Sequence, residues 1–383
     1  MQMFHLFNLL FMRATRSLQL IFTLVGALML SAQSVAAKPR VVASIQPIHS
    51  IASVVMAGVG EPTLLVAGGG SPHDAALRPS QARALAKADV VFWVGPTLES
   101  FLVKSLATLG QNAHSAPLIE THGLSLQHMR RGGVWGEGHH HHHADHDAAH
   151  EDHDAHDHEA QEHADHDAHD HEAHEHEDHD EHDHKAQEHA DPDHAMGAQE
   201  GSTGETAAMD PHIWLDPHNG AVMAAHMAAV LGKADPANAA LYTENARRFA
   251  QNLAQWEAHA RTRLAPLRGA PYLVFHDAYH AFEAHFGLTP VGAISISPER
   301  RPGAKRLHEL RRIVQQRNAR CLFSEPQFPS AIAQSVIEGS AARLGVLDPL
   351  GAELKPGPDA YLQLLDQLVE SLTACLGAEA ASH

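Results

Sequence analysis

The sequence is short of cysteine and of long apolar runs, and each shortage excludes a class of protein. No cysteine lies near the N-terminus, which excludes a lipid-anchored lipoprotein, and the two cysteines of the 383-residue chain offer no thiolate cluster for a metal. Beyond the N-terminal region no apolar run is long enough to cross a bilayer. No HExxH or comparable motif joins metal ligands to a general base.

Positive charge is also scarce, and one segment holds nearly all of the negative charge. The formal net charge is −19, and His139–His194 contains 21 of the 46 acidic residues but one of the 27 basic residues. This segment carries −20, which leaves the rest of the chain nearly neutral at +1. The folded part therefore has no basic face of the kind that binds nucleic acid.

The N-terminus has the layout of a secretory signal peptide. Arg13 and Arg16 precede an apolar run from Leu18 to Leu30, and small residues then lead to a plausible cleavage site before Lys38. The run is short for a membrane span, which disfavours the alternative of an uncleaved anchor helix. We expect residues 1–37 to be removed and the mature protein to be soluble in the bacterial periplasm.

The two cysteines fit that compartment. An oxidising periplasm would join Cys321 and Cys375, whereas two buried free thiols are the alternative. A disulfide between them would close a loop of about 55 residues, worth on the order of 4 kcal/mol if it acts by restricting the unfolded chain.

Apolar runs typical of buried strands alternate with helical segments, which indicates an α/β fold with parallel sheets covered on both faces. A long helical stretch runs from Pro236 to about Leu267, and its length of about 45 Å could span between two domains. We therefore expect two (β/α) lobes joined by one rigid helix. The predicted divisions are a first lobe at 38–235, a linker helix at 236–268 and a second lobe at 269–383.

The predicted first lobe contains an insertion at 132–208 without apolar periodicity. The insertion is rich in His, Asp, Glu and Ala, so it should be disordered in the absence of a ligand. Its 21 histidines beside 21 carboxylates in 139–194 can bind several Zn²⁺ ions. These sites should be weaker than a preformed one and should lose zinc below about pH 6. A solvated acidic spacer is the alternative interpretation.

Four residues that can bind a metal lie at or near the predicted strand ends. His73 follows the second strand, His212 follows the insertion, His276 ends the first strand of the second lobe, and Asp348 ends a later strand. Ligands of open parallel sheets bind outside the carboxyl ends of the strands, so two facing lobes would bring these residues into one cleft. Imidazole nitrogens with one carboxylate suit Zn²⁺, and an oxygen cage for Mg²⁺ or Ca²⁺ is absent.

The segments SPHDAALRPSQARALAKADVVFWVG, DPHIWLDPHNG, FHDAYHAFEAHFGL and VLDPLG, in this order, resemble the cluster A-I metal-binding proteins of ABC transporters. The position of the histidine-rich insertion between the first two is similar to that in the zinc branch of this family. The resemblance covers about Arg40 to Cys375. It implies two (β/α) lobes, a long helix between them and a metal in the interlobe cleft.

The resemblance also implies roles for individual residues. His73, His212 and His276 match the three histidine ligands of the family, and manganese-binding relatives have Glu where this chain has His276. Asp348 matches a carboxylate ligand of the manganese branch. Pro72 stands where some zinc-binding members have Glu, so Asp348 or a water molecule remains as the fourth ligand.

Further implications of the resemblance concern the disulfide and the partner. Cys321 and Cys375 match the disulfide of zinc-type members. The family implies that a monomer carrying Zn²⁺ docks on the permease of an inner-membrane ABC zinc importer, without catalysis.

Three alternatives remain open from the sequence. Three histidines with a water molecule could also form the active site of a zinc hydrolase. A periplasmic zinc buffer or chaperone would use the insertion as its working part. The transported ion could also be Mn²⁺, Fe²⁺ or Ni²⁺. Nitrogen-rich sites prefer zinc to manganese in vitro whatever their function, so such a preference does not identify the transported ion.

Overall fold

A computed structural model describes residues 38–67, 69–130, 133–135, 208–295 and 302–377. The predicted signal peptide and His139–His194 lie outside these residues, as does almost all of the predicted insertion. Within the described ranges no helix is both long enough and apolar enough to span a membrane.

The first sheet is parallel, and its strands are β1 (Val41–Ile45), β2 (Thr63–Val66), β3 (Val90–Trp93) and β4 (His114–Pro117). Their order across the sheet is β2-β1-β3-β4. The accompanying helices are α1 (Gln46–Val55), α2 (Pro79–Lys87), α3 (Ser100–Thr108) and α4 (Pro217–Ala234).

The second sheet repeats this topology with β5 (Tyr272–His276), β6 (Gly292–Ser295), β7 (Cys321–Ser324) and β8 (Arg343–Val346). Their order is β6-β5-β7-β8, again parallel throughout. The accompanying helices are α6 (His280–Phe286), α7 (Ala304–Gln316), α8 (Ala331–Ile337) and α9 (Ala360–Leu376). The α/β class predicted from the sequence is confirmed.

The long helix α5 (Ala239–Leu264) connects the two sheets along the chain. Its 26 residues correspond to a length of about 39 Å. Short 3₁₀ turns at Pro236–Asn238 and Ala265–Leu267 flank it and complete the predicted helical stretch. The Asp235 side chain does not cap the turn by bonding to a backbone N–H. Its carboxylate instead accepts hydrogen bonds from the side chain of Asn238 and from the hydroxyl group of Tyr242.

One hydrophobic core contains side chains from one face of each sheet. Alternate residues of each strand point to opposite faces, so the other residues belong to separate cores. In β5 the side chains of Tyr272 and Val274 join this shared core, while Leu273 and Phe275 pack into a separate outer core under α7 and α8. The first sheet has a matching outer core under α2 and α3. Burial on both faces explains why the strands read as continuous apolar runs.

The last helix, α9, follows the second sheet but packs against the first-lobe helix α1. The backbone N–H of Tyr361 donates to the hydroxyl oxygen of Ser50 at 2.9 Å, and the Tyr361 hydroxyl donates to the carbonyl oxygen of Trp214 at 2.7 Å. A Cβ at Gly220 would lie 2.4 Å from that hydroxyl oxygen, so only glycine permits this approach. The predicted lobe boundaries remain a proposal. The contacts of Tyr361 with Ser50 and Trp214 join residues on either side of the predicted boundary at 269.

The first described residues of the predicted insertion, 133–135, also reach the second sheet. Arg306 of α7 donates to the carbonyl oxygen of Val134 at 2.8 Å, and that carbonyl lies 2.9 Å from where a Cβ on Gly292 would be. The Arg130 guanidinium lies 3.8 Å from the ring centroid of Trp135 and bonds to Asp277. The contacts of Arg130 and Val134 therefore give a second attachment between the chain that follows the first sheet and the second sheet.

Two elements differ from the sequence prediction for local reasons. The sequence at 288–293 predicts a strand, but the strand is observed at 292–295, because Leu288 closes the end of α6 by donating to the carbonyl oxygen of Glu283. The sequence at 332–342 predicts one helix, but the helix ends at Ile337, since Gly339 takes the left-handed conformation with φ of 74°.

The predicted disulfide between Cys321 and Cys375 is present. It joins the first residue of β7 to the last turn of α9, and the two Cα atoms are 6.2 Å apart. The bond therefore secures α9, which holds the second sheet against the first-lobe helices.

Replacing both cysteines by serine should lower the free energy of unfolding by about 4 kcal/mol, because the unfolded chain regains the entropy of an open loop. Guanidinium unfolding of the oxidised protein and of the double variant measures this difference. Zinc affinity should be unchanged, since Cys321 lies at the end of β7 away from the cleft. Identical unfolding midpoints would contradict the prediction.

Candidate metal centre

His73 lies in a short 3₁₀ turn, Pro72–Asp74, in the loop after β2. The hydroxyl oxygen of Ser71 accepts a hydrogen bond from the backbone N–H of His73 at 3.3 Å and caps this turn. Pro72 fixes the backbone at the first position of the turn. The local sequence thus orients a half-buried imidazole at the carboxyl end of the first sheet.

His212 immediately precedes a buried 3₁₀ turn, Ile213–Leu215. The Asp210 carboxylate accepts from its backbone N–H at 3.0 Å and contacts its ring nitrogen Nδ1 at 2.6 Å. Trp214 anchors the turn, because its indole N–H donates to the carbonyl oxygen of Pro349 at 2.7 Å. Backbone and ring of His212 are therefore both held.

His276 is the last residue of β5, at the carboxyl end of the second sheet. Glu325 follows β7, the neighbouring strand, and its two carboxylate oxygens lie 2.7 and 2.9 Å from His276 Nδ1. His276 and Glu325 are both buried. The strand pairing itself places this carboxylate behind the imidazole.

These three histidines converge on one point. One ring nitrogen from each lies within 4.8 Å of the other two, and the Nε2 atoms of His212 and His276 are 3.3 Å apart. A tetrahedral Zn²⁺ with bonds of about 2.0–2.1 Å separates its nitrogen ligands by about 3.3–3.4 Å. The observed separation is therefore that of two ligands on one zinc ion.

The position of the proton on the imidazoles of His212 and His276 also suits a metal ion between them. When Nδ1–H donates to a carboxylate, as at His212 and His276, the lone pair of the neutral ring is on Nε2. Two lone pairs facing each other repel unless a cation lies between them. The arrangement is thus suited to a cation that accepts nitrogen donors.

The space at the centre is small and is lined by both polar and apolar side chains. A cavity of about 20 Å³ is lined by the three histidines together with Trp214, Phe328 and Leu350, among others. A volume of this size holds a single ion or water molecule.

The environment shifts the pKa values of two of the histidines in opposite directions. Burial, with help from the neighbouring His212 and His276, lowers the pKa of His73 to about 3. Burial also acts to lower the pKa of His276, but Glu325 outweighs it and raises that pKa above its usual 6.5. His73 is therefore neutral and ready to bind a metal at neutral pH, while a proton competes for His276.

Asp348, the fourth predicted ligand, lies outside the group of three histidines. Its carboxylate accepts hydrogen bonds from the side chain of Gln327 at 2.8 Å and from three backbone N–H groups at 2.6–3.0 Å. The donors from the backbone belong to Leu350, Gly351 and Ala352. Asp348 thus organises the loop after β8, and its role as a ligand stays a prediction.

Sequence reasoning missed Asp210 and Glu325. Each carries a signal that could have been used: Asp210 is two residues before His212, and Glu325 directly follows a buried strand at the correct end of its sheet. Asp277 directly follows His276 in sequence, but its carboxylate is bound by Arg130, which it shares with Glu283.

Comparison with known proteins identifies relatives over the described chain. The family model described as zinc-uptake complex component A, periplasmic (ZnuA), matches residues 41–375. The chain is 43% identical over 336 residues to the high-affinity zinc uptake system protein ZnuA of Brucella abortus, covering 88% of this chain and 91% of that protein.

Solved structures share the fold. A crystal structure of ZnuA has a TM-score of 0.62 at 19% identity and covers 88% of this chain and 99% of its own. The binding protein FpvC from Pseudomonas aeruginosa in complex with Mn²⁺ has a TM-score of 0.64 at 17% identity, covering 89% and 99%. The two-sheet architecture is therefore one known among metal-binding proteins.

The opposite pKa shifts can be tested in the metal-free protein. The pKa of His73 should appear near 3, because burial opposes its charge, whereas that of His276 should exceed 6.5, because Glu325 favours the charged form. NMR titration of the imidazole signals, assigned by His→Gln variants, measures both values. Titration of His73 at or above 6.5 would show that its burial is wrongly described.

Proposed function

The chain belongs to the ZnuA family of zinc-uptake components, and on that premise we propose that it captures Zn²⁺ in the periplasm and delivers it to an inner-membrane ABC importer. The zinc ion is the cargo of this protein. In the proposal the cation binds to His73, His212 and His276, and Asp348 or a water molecule completes the shell.

The observation that carries this proposal is the meeting of three histidine nitrogens within 4.8 Å in a cavity large enough for one ion. The nitrogens come from the loop after β2, the residue before the turn Ile213–Leu215 and the end of β5, so a cation there binds the two sheets at once. Neutral nitrogen donors in a site of this size favour Zn²⁺ over Mg²⁺ or Ca²⁺, which require oxygen cages.

Manganese is a less suitable cargo for this donor set. Mn²⁺ prefers carboxylate and water oxygens, and the one carboxylate expected to serve, Asp348, is already bonded by Gln327 and backbone groups. The Brucella relative is named for zinc uptake, in agreement with this choice.

A hydrolase role receives no support from the residues around the centre. A zinc hydrolase needs a general base close to the metal-bound water. The nearby carboxylates Asp210 and Glu325 both contact histidine Nδ1 atoms instead. The family is one of transport binding proteins, and we propose binding and release without catalysis.

The family and the N-terminal sequence support the location and the partner in this proposal. Residues 1–37 would direct export and be removed, and the loaded monomer would dock on the permease of the importer. The segment 139–194, with 21 histidines, would bind further zinc ions more weakly and hold them near the protein. The alternative, a zinc buffer, would give that segment the tight site.

Calorimetric zinc titration against a competing chelator tests the proposal. The mature protein should show one tight site and several weaker ones, and deletion of Gly138–Asp193 should remove the weaker ones alone. Alanine at His73, His212 or His276 should weaken the tight site by on the order of 100-fold or more, since each ligand supplies a large part of the binding energy.

The exposed His259 on α5 is the matched control, and His259→Ala should leave the tight site unchanged. Loss of tight binding on deleting Gly138–Asp193 would identify the protein as a histidine-rich buffer. Tight binding that survives all three cleft substitutions would also refute the proposed site.

A further inference from the structure

Two buried carboxylates stand directly behind two of the histidines. Asp210 is 4% exposed and lies 2.6 Å from Nδ1 of His212, and Glu325 is 3% exposed and lies 2.7 Å from Nδ1 of His276. Both therefore contact the ring nitrogen that faces away from the other imidazole. The arrangement is the same on both sheets, although one carboxylate precedes its histidine in sequence and the other comes from a neighbouring strand.

Each carboxylate is itself fixed by the backbone. Asp210 donates its backbone N–H to the carbonyl oxygen of Gln127 at 2.8 Å, and its side chain also accepts from the backbone N–H of His212. Glu325 extends from the end of β7, beside β5 in the sheet, and reaches both the ring and the backbone N–H of His276. The two rings therefore cannot turn without breaking these contacts.

The charges of the two carboxylates are also left unbalanced by the protein. Among the described residues, neither Asp210 nor Glu325 forms an ion pair with lysine or arginine, and each has a histidine as its ionic partner. The buried pair Asp277 and Glu283, by contrast, shares Arg130. Two buried negative charges without a basic partner are costly unless a cation compensates them.

We propose that Asp210 and Glu325 are positioning residues, which hold the Nε2 atoms of His212 and His276 at the separation that zinc requires and balance the charge of the bound dication. With three neutral imidazoles, two carboxylates, Zn²⁺ and a water molecule as the fourth ligand, the charges of the centre sum to zero. The proposal rests on the zinc-binding function proposed above and assigns to two further residues a part in its affinity.

Amide substitution separates charge from shape. Asp210→Asn and Glu325→Gln keep the size of the side chain and an oxygen that can accept from Nδ1–H, but they remove the negative charge. Each should weaken zinc binding by about 10- to 100-fold, the usual effect of losing such an outer partner. Competition titration against a chelator measures the change.

Asp216 provides the matched control. It is also a buried carboxylate, at 4% exposure, and it lies 2.8 Å from Nδ1 of a histidine, His285. It caps α4 by accepting from the backbone N–H of His218 and does not line the cleft cavity. Asp216→Asn should lower the unfolding temperature and leave zinc affinity unchanged.

Cobalt gives a readout that a merely structural role would not move. Co²⁺ occupies similar nitrogen sites and has visible absorption bands that report the ligand geometry. Glu325→Leu removes the contact that orients His276, so the bands of the cobalt-loaded protein should change. Glu325→Gln should retain the wild-type bands while showing the weaker affinity.

The outcomes separate this inference from the proposed function. If the wild-type protein has no tight zinc site, the proposed function fails first. If the wild type binds tightly and Asp210→Asn and Glu325→Gln bind as tightly as Asp216→Asn, the positioning role alone is overturned. Weaker binding in these two variants, with folding retained, supports it.

Discussion

Burial of one apolar core between two parallel sheets is the constraint on which the metal centre depends. His212 and His276 are 64 residues apart in sequence, and they can place nitrogens 3.3 Å apart only if the surfaces that carry them are fixed. The shared core fixes them through α4, α5 and α9, which pack between the sheets. Gln46 adds a polar tie across the same region, because its amide donates to the carbonyl oxygens of Gly351 and Leu354.

The large predicted insertion is compatible with this rigid frame because its two ends meet. The backbone N–H of Met129 donates to the carbonyl oxygen of Ala208, and that of Asp210 donates to Gln127. A chain that leaves and returns at one place adds residues without separating the elements on either side. Asp210 belongs both to this junction and to the support of His212.

Much of the fold could be predicted from the sequence, because strands buried on both faces give continuous apolar runs that alternate with helices. The three histidines could be predicted as neighbours because His73 follows a strand and His276 ends one, where ligands of parallel sheets gather, and because the resemblance implies the same three. Asp210 and Glu325 were missed because their importance depends on which atoms they face, and spacing alone does not show that. Asp348 illustrates the same limit: the resemblance suggested a ligand, whereas its hydrogen bonds to Gln327 and the loop backbone are visible only in three dimensions.

The electrostatic design explains why a neutral-histidine site can bind a dication away from water. Burial keeps His73 neutral, and Asp210 and Glu325 supply the negative charge that three imidazoles lack. Affinity then comes from preorganised donors, with little reorganisation when zinc enters.

The most direct test of this account is anomalous diffraction at the zinc edge from crystals of the mature protein loaded with one equivalent of Zn²⁺. The account predicts one strong peak bonded to a nitrogen of each of His73, His212 and His276 at about 2.0–2.1 Å. A single equivalent of zinc bound elsewhere, with these three nitrogens left without metal, would contradict it.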